Sequence, residues 1–413
     1  MKYNKVSKFN ITSTLKLQLL FCLNLTLLYL ALFIFKDGLR FPLLWDEHNF
    51  WRISQSFSLR LIPTLEQLRN YNSPTTPLSF LVFGYLEFAF HDGIFTGRLL
   101  NLILSFMIVC LIGMPKSGRK WHSILAAGGL MIFPYYFFLS FHLYTDIVAT
   151  FFVVLGFWLY TRNSHILSSI CFVLAIACRQ YTLPFPVAIA VFELINCMRQ
   201  EKHFQANVSW LAQMTAAATI LGWIWLFGGL VPQVAAGANN LPIRTFNNLP
   251  LQIRWIFPEH SLYFLACIGL YFVIPEWILF RRWRDFHRLV TLKNCSIAFV
   301  VLALFFAFPP IESKGILTQI LQVFAPISFL HLALLYVLVL ATCVRFSQLN
   351  LAFWMLLMNF GILLRGFAWD KYALPTLAVL WYLKSIHALD NMPEGCVARN
   401  GNRHDELSEG MKL

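Results

Sequence analysis

The amino-acid sequence predicts an all-α, polytopic membrane protein with about twelve transmembrane helices. Three observations carry this. The 413 residues are 58% hydrophobic and 12% charged, where a soluble domain carries about 25% charged residues. Apolar runs recur along the chain and leave no room for a soluble domain. The Lys and Arg residues fall in short loops between those runs, as positive-inside bias places them. That placement accounts for the net charge of +13 and sets nucleic acid aside as a partner. Membrane lipid is the expected surrounding, because such side chains suit hydrocarbon as solvent. The nine Cys show no CxxC pair and read as small apolar packers.

The runs place spans at 17–35, 98–114, 123–140, 146–160, 165–178, 181–197, 207–230, 260–280, 295–309, 316–341, 350–364 and 372–388. The first lacks a small-residue cleavage pattern and is expected to stay as an anchor. Residues 1–391 are expected to form one transmembrane domain, and 392–413 a disordered cytoplasmic tail.

Segment 77–90 decides the topology, since crossing the membrane there would change the side of every later loop. Lys2, Lys5, Lys8 and Lys16 place the N-terminus in the cytoplasm. Lys116, Arg119 and Lys120, and later Arg281, Arg282, Arg284, Arg288 and Lys293, belong on the same side. That requires 36–97 to lie outside as one loop carrying two interfacial helices, the second of them 77–90. The arrangement puts 20 of the 32 Lys and Arg inside. It also gathers the polar clusters 45–47, 75–77, 144–146, 179–180, 312–314 and 365–372 on the outer side, where one shared site explains them.

Trp45-Asp46-Glu47-His48 precedes apolar Phe50, Ile53, Phe57 and Leu61 at helical spacing, with Asn49, Arg52, Ser56 and Arg60 between them. That pattern predicts a helix lying on the membrane, apolar face down. Asp46 at its start reads either as a helix cap or as a general base. Tyr71-Asn72-Ser73-Pro74-Thr75-Thr76-Pro77 is a turn before the second surface helix. Tyr144-Thr145-Asp146 leads into a span, and Asp146 reads as an N-cap or a paired acid. Arg179-Gln180 sits between apolar runs, where the arginine either snorkels or holds an anion. Arg365, Lys371 and Tyr372 suit a phosphate at the interface or an ordinary Trp/Tyr/Lys belt. No phosphate loop, HExxH, GxSxG or Rossmann glycine triplet is present.

In order and kind these patches resemble GT-C glycosyltransferases, and within them the dolichyl-phosphate-glucose-dependent alpha-1,2-glucosyltransferase family. Asp46-Glu47 stands where that superfamily carries an acidic pair in its first outer loop. Ser73–Pro77 is similar to the Thr-Thr-Pro-Pro turn of the family, with one proline after Thr75-Thr76. Leu143–Asp146 followed by Thr150-Phe151-Phe152 resembles its Tyr-Thr-Asp stretch, with Arg179-Gln180 about thirty residues on. Lys371-Tyr372 and Pro375 resemble its late Arg-Tyr and Pro motif, with lysine where arginine is usual.

The resemblance implies a hexosyltransferase that takes sugar from a polyprenyl-phosphate donor, such as a dolichyl-phosphate or undecaprenyl-phosphate sugar. The acceptor is a glycan, lipid-linked or otherwise extracytoplasmic, and one displacement inverts the anomeric carbon. Asp46 is then the base, with Glu47 in reserve or orienting it. Arg179, Arg365 and Lys371 hold the donor phosphate, and Tyr144, Asp146, Gln180, Tyr372, Thr75 and Thr76 position substrates. No cofactor and no metal set is expected, although Asp46, Glu47 and Asp146 have the chemistry to gather a divalent cation. The site faces outward, in the plasma membrane of a bacterium or the endoplasmic reticulum of a eukaryote. The alternative is a transporter or flippase of lipid-linked sugars, but the sequence shows neither the internal repeat nor the paired broken helices usual there. A non-enzymatic scaffold is the third reading.

Overall fold

A computed structural model describes residues 11–115, 120–199, 208–238, 256–280, 291–310, 313–325 and 327–390. The expected tail 392–413, Glu312 and most of the two basic loops lie outside these residues. The described residues are helical, with a single isolated bridge between Lys314 and Trp369. The helices are α1 (Ile11–Phe35), α2 (Glu47–Ser58), α3 (Leu65–Arg69), α4 (Leu78–Phe90), α5 (Ile94–Gly113), α6 (Lys120–Met131) and α7 (Pro134–Phe141). There follow α8 (Thr145–Tyr160), α9 (His165–Cys178), α10 (Pro184–Arg199), α11 (Val208–Phe227), α12 (Gln233–Ala238) and α13 (Pro258–Ile268). The last are α14 (Ile274–Leu279), α15 (Leu292–Ala307), α16 (Ile316–Phe324), α17 (Ser328–Arg345), α18 (Leu351–Leu363) and α19 (Leu374–Ser385).

Among the described residues, six helical stretches are long and apolar enough to cross a bilayer, and α6 with α7 makes a seventh broken one. Shorter apolar helices α4, α8, α9, α15 and α18 fill the body between them. This is the all-α polytopic membrane protein expected from composition.

Two expected spans are not continuous. α6 and α7 are bent by 73° at their break, because Pro134 has no N–H to give and its ring blocks the preceding turn. Span 316–341 is two helices, α16 and α17. Pro326 follows Ala325, whose backbone (φ −138°, ψ 65°) has already left the helix, as a residue before proline does.

The first loop also differs from expectation. The apolar face of α2 does not lie on lipid. Phe50, Ile53 and Phe57 are buried, with Phe50 5.7 Å from Phe80 of α4 between ring centroids. Gly84 makes this approach possible, since a Cβ there would meet the Ser54 carbonyl at 2.7 Å and Phe57 Cβ at 3.0 Å. Each such side chain contributes about 1.5–3 kcal/mol on burial. Leu61 alone of the predicted stripe stays exposed.

The chain leaves α1 and re-enters at α5 on the same end of the molecule. Arg98 at the start of α5 donates to the carbonyls of Leu39 and Phe41, just past α1. The two ends of the 36–97 loop therefore lie together. At the opposite end Glu276 of α14 is gripped by Arg345 of α17 at 2.7 Å and by Lys384 of α19 at 3.0 Å. Asp390 closes that network on Lys384. It ties three helices far from the loop.

Replacing Gly84 with valine is predicted to destabilise the protein by about 1–3 kcal/mol through overpacking. Gly361→Ala, where an added Cβ meets nothing within 4 Å, is the control. Thermal unfolding of the detergent-purified chain measures both, and only the first should lower Tm by several degrees.

Candidate active site

The site is built on one buried ion pair. Arg98 and Glu47 are both 0% exposed, with Nη2 to Oε2 at 2.8 Å. Arg98 Nε donates to the other oxygen, Oε1, at 2.9 Å. Leu143 N–H donates to Oε1 at 2.6 Å and Leu44 N–H to Oε2 at 3.0 Å. Each carboxylate oxygen thus takes two donors and has no capacity left. The Arg98 guanidinium also stacks 3.8 Å over the Phe41 ring and holds the Pro42 carbonyl. These contacts fasten the segment between α1 and α2 to the starts of α5 and α8.

That segment ends in strain. Trp45 has φ +51°, a left-handed conformation that costs a non-glycine residue about 1–3 kcal/mol and persists only where its surroundings fix it. The next residue is Asp46. Its carboxylate makes no capping hydrogen bond to α2, so the helix-cap reading fails. It accepts instead from Lys371 Nζ at 3.0 Å, across 325 residues of sequence. The Asp46 side chain is 43% exposed and that of Lys371 4%. One partner faces outward and the other is held within.

Arg179 and Asp146 form the second pair, with Nη2 to Oδ2 at 2.7 Å and both groups buried. Arg179 Nε donates to Thr145 Oγ1 at 2.5 Å, and Tyr181 donates to Asp146 Oδ1 at 3.1 Å. Asp146 lies in the first turn of α8, where the helix dipole favours a carboxylate; Tyr144 holds the N-cap position itself. Lys371 Nζ lies 5.4 Å from the Tyr144 ring centroid and 5.7 Å from that of Tyr372. Tyr372 packs edge-on against Tyr181 at 5.5 Å. The two ion pairs are therefore joined through a wall of tyrosines.

Burial drives the Lys371 ammonium below its ordinary pKa, although Asp146 and Asp46 pull it back up. Arg179 is pushed the opposite way overall. Burial opposes its charge, but the Asp146 carboxylate and the surrounding tyrosines and Asp46 outweigh it. Burial and the nearby Asp46 raise the Tyr144 hydroxyl, so it stays protonated.

The remaining predicted residues brace this arrangement. Gln180 accepts from the Thr76 N–H at 3.1 Å and donates to the Pro74 carbonyl at 2.5 Å. Thr76 Oγ1 donates to the Ile176 carbonyl at 2.7 Å, and Thr75 Oγ1 shares a hydrogen bond with Ser73. The patches 75–77 and 179–180 are thus in direct contact. Arg365 is exposed on the turn after α18.

Several groups in this network are not evident from the sequence. Arg98 lies at the edge of an apolar run and signals nothing by its neighbours. Asn101, three residues on, donates to the carbonyls of His142 and Tyr144 at 2.7 and 2.9 Å. Its i+3 spacing from Arg98 puts both on one face of α5. Asp370 is buried beside Lys371 and accepts from Tyr263 at 2.6 Å, Tyr271 at 2.9 Å and the Leu317 N–H at 2.8 Å. A Cβ at Gly315 (φ +131°) would meet its Oδ1 at 2.0 Å. Asp370 thereby fixes the backbone from which Lys371 projects.

As for metals, Glu47 is saturated by Arg98 and two amides, whereas Asp146 takes one donor on each oxygen, from Arg179 and Tyr181. Among the described residues, Asp46, Glu47 and Asp146 do not bring ligand atoms within 4.8 Å of one another.

The described residues thus set one solvent-facing carboxylate beside two buried cations in a polytopic helical body, and the family that matches the chain makes this body a membrane glycosyltransferase of the GT-C type. The DIE2/ALG10 family matches residues 78–355, two-thirds of the chain, and the chain belongs to it, the dolichyl-phosphate-glucose alpha-1,2-glucosyltransferases. The match covers Tyr144, Asp146, Arg179 and Gln180; Asp46 and Lys371 lie outside it and are joined to them by geometry. No curated protein and no solved structure matches the chain.

Arg98→Leu is predicted to strand the Glu47 carboxylate in a dry site and cost about 3–5 kcal/mol. Arg98→Met with Glu47→Gln should recover much of that loss. A double-mutant cycle by denaturation in micelles measures the coupling, and additive effects would contradict the frame described here.

Proposed function

We propose that the protein transfers glucose from dolichyl-phosphate glucose to a hydroxyl of a lipid-linked saccharide acceptor, in one displacement that inverts the anomeric carbon. The reaction takes place on the lumenal or extracytoplasmic side. The observation that carries the reading is the Asp46–Lys371 pair, half-open to solvent, set beside the buried Asp146–Arg179 pair.

In the resting protein Lys371 occupies Asp46. The donor phosphate competes for Lys371, because a phosphodiester monoanion, which becomes a monoester as the sugar leaves, offers an ammonium more acceptor oxygens than a half-solvated carboxylate does. Asp46 is then free to act as base. The acceptor oxygen bonds to C1 as its proton passes to Asp46. The bond from C1 to the phosphate oxygen breaks, and its electron pair leaves with the dolichyl phosphate. Lys371 and Arg179 stabilise the charge that grows on that oxygen, in a site where buried cations are worth most. Asp46 later returns the proton to water.

Asp146, Tyr181 and Thr145 aim Arg179, and Gln180 with Thr76 fixes the loop behind it. Tyr144 and Tyr372 line the space between the cations. Glu47 takes no proton in this scheme, since its four acceptor positions are filled; it orients the segment that carries Asp46. Arg365 is a peripheral cation for the approaching donor. The scheme assigns the charge on the phosphate to Lys371 and Arg179.

Replacing Asp46 with asparagine should reduce glucose transfer from radiolabelled dolichyl-phosphate glucose by at least about 10²-fold, and Lys371→Met by about 10²–10³-fold. Transfer by Asp46→Asn at the wild-type rate would remove it as the base. The lowered pKa of Lys371 also sets a pH limit. As pH rises through that value the phosphate-binding charge is lost, so kcat/KM should fall at a pH below the ordinary lysine range. In Lys371→Arg, whose guanidinium does not titrate, that alkaline limb should move upward. An unchanged limb would exclude Lys371 as its source.

A further inference from the structure

Beside Asp46 the first loop carries a groove that the reaction scheme does not use. It is a cavity of about 270 Å³ between α2 and the segment that follows α3, with Asn49, Arg52, Ser56, Gln67, Asn70 and Asn72 on its walls. Buried Ile53 and Tyr71 form its floor. A second cavity, of about 320 Å³, meets it at Asn70 and extends to Trp225 and Gln233. Trp225, near the end of α11, is 76% exposed. Together the two make one trough within the size range of small-ligand sites, about 300–1,000 Å³.

The chemistry of the trough is specific. It is lined by carboxamides, two guanidiniums from Arg52 and Arg69, the hydroxyls of Ser56 and Tyr71 and an indole, with no carboxylate. Among the described residues the Arg52 guanidinium and the Asn70 and Asn72 amides have no hydrogen-bond partner in the protein. Carboxamides offer both donor and acceptor atoms, which matches vicinal hydroxyls that are donors and acceptors in turn. An indole ring supplies a flat apolar face for the C–H side of a sugar ring. Gly228 (φ +71°) turns the chain after α11 and brings the Gln233 amide back within 3.4 Å of its would-be Cβ, so Gln233 and Trp225 line the same cavity.

The trough is also aligned with the proposed base. Asp46, Asn49, Ile53 and Ser56 are spaced 3, 7 and 10 residues from the first and so share one stripe of α2. Asn49 is about one turn from Asp46, and Ser56 is roughly 15 Å along the axis at 1.5 Å per residue. A chain of sugars lying in the trough would therefore present its terminal hydroxyl to Asp46.

We infer that this trough, from Asn49 through Asn70 to Trp225, is the seat of the acceptor oligosaccharide, an uncharged, hydroxyl-rich chain of several sugars held at its non-lipid end. The inference rests on the glycosyl-transfer reading for its orientation, and its test is a binding measurement that needs no turnover. Saturation-transfer NMR on the full chain in micelles is the assay. Soluble gluco- and manno-oligosaccharides of one to four units are the probes.

The wild type should bind at least one series, with affinity that grows with chain length. Asn70→Ala with Trp225→Ala should weaken binding at least about ten-fold, or 1.4 kcal/mol, and flatten the length dependence. Gly361→Ala, outside the site and the trough and where an added Cβ meets nothing within 4 Å, should bind as the wild type does. Arg52→Ala alone, on an exposed side chain that no fold contact needs, should show the same loss in smaller degree. Wild-type protein that binds neither series, or a double variant that binds as well as wild type, overturns the assignment. Binding lost in the trough variants while Asp46→Asn transfers glucose normally would retain the trough and reject the base.

Discussion

The Arg98–Glu47 pair is the constraint on which the rest depends. It is fully buried, so neither charge can stand without the other. Breaking such a pair costs about 3–5 kcal/mol, although a well-packed apolar replacement of both partners is often neutral. Its retention in an otherwise apolar body is explained by geometry rather than by stability. Five donors on one guanidinium and four acceptor positions on one carboxylate fix the path from α1 to α2 and tie it to α5 and α8. Trp45 is held in a strained conformation by that frame, and Asp46 is aimed by Trp45. A carboxylate on an untethered loop would not meet a lysine 325 residues away.

The same logic repeats at each cation. Arg179 is positioned by Asp146, Thr145 and Tyr181. Lys371 is positioned by Asp370, whose own oxygens are held by two tyrosines and the start of α16. Both cations are buried, where their fields reach further than in water, and both are neutralised at rest by acids. The site is charged but balanced. A phosphate entering it exchanges one anionic partner for another, and the surroundings need little reorganisation. That is the property expected of a site that stabilises a leaving phosphate.

Much of the fold was legible in the sequence. The apolar runs marked most of the helices, and the ends of the 36–97 loop, which the charge rule expects on one side, meet around Arg98. Two spans misread as continuous were broken by Pro134 and Pro326, which hydropathy does not register but backbone chemistry does. The apolar stripe of α2 was also read correctly as a stripe. Periodicity cannot say whether such a face meets lipid or protein, and Gly84 decided for protein.

The site was legible in part. Asp46, Asp146, Arg179 and Lys371 stood out because charge at the lip of an apolar run needs a partner. Their mutual pairing was not legible, since the partners are far apart in sequence and have no local pattern. Arg98 and Asn101 were invisible, and the role of Asp370 within the 365–372 cluster unread, for a related reason. Each is a single polar residue whose significance lies wholly in what folds around it. The most direct measurement is a structure of the full chain with bound dolichyl phosphate. The account predicts the phosphate within hydrogen-bond reach of Lys371 and Arg179, with the Asp46–Lys371 contact broken and the Arg98–Glu47 pair unchanged. A phosphate seated elsewhere, with Lys371 still on Asp46, would contradict it.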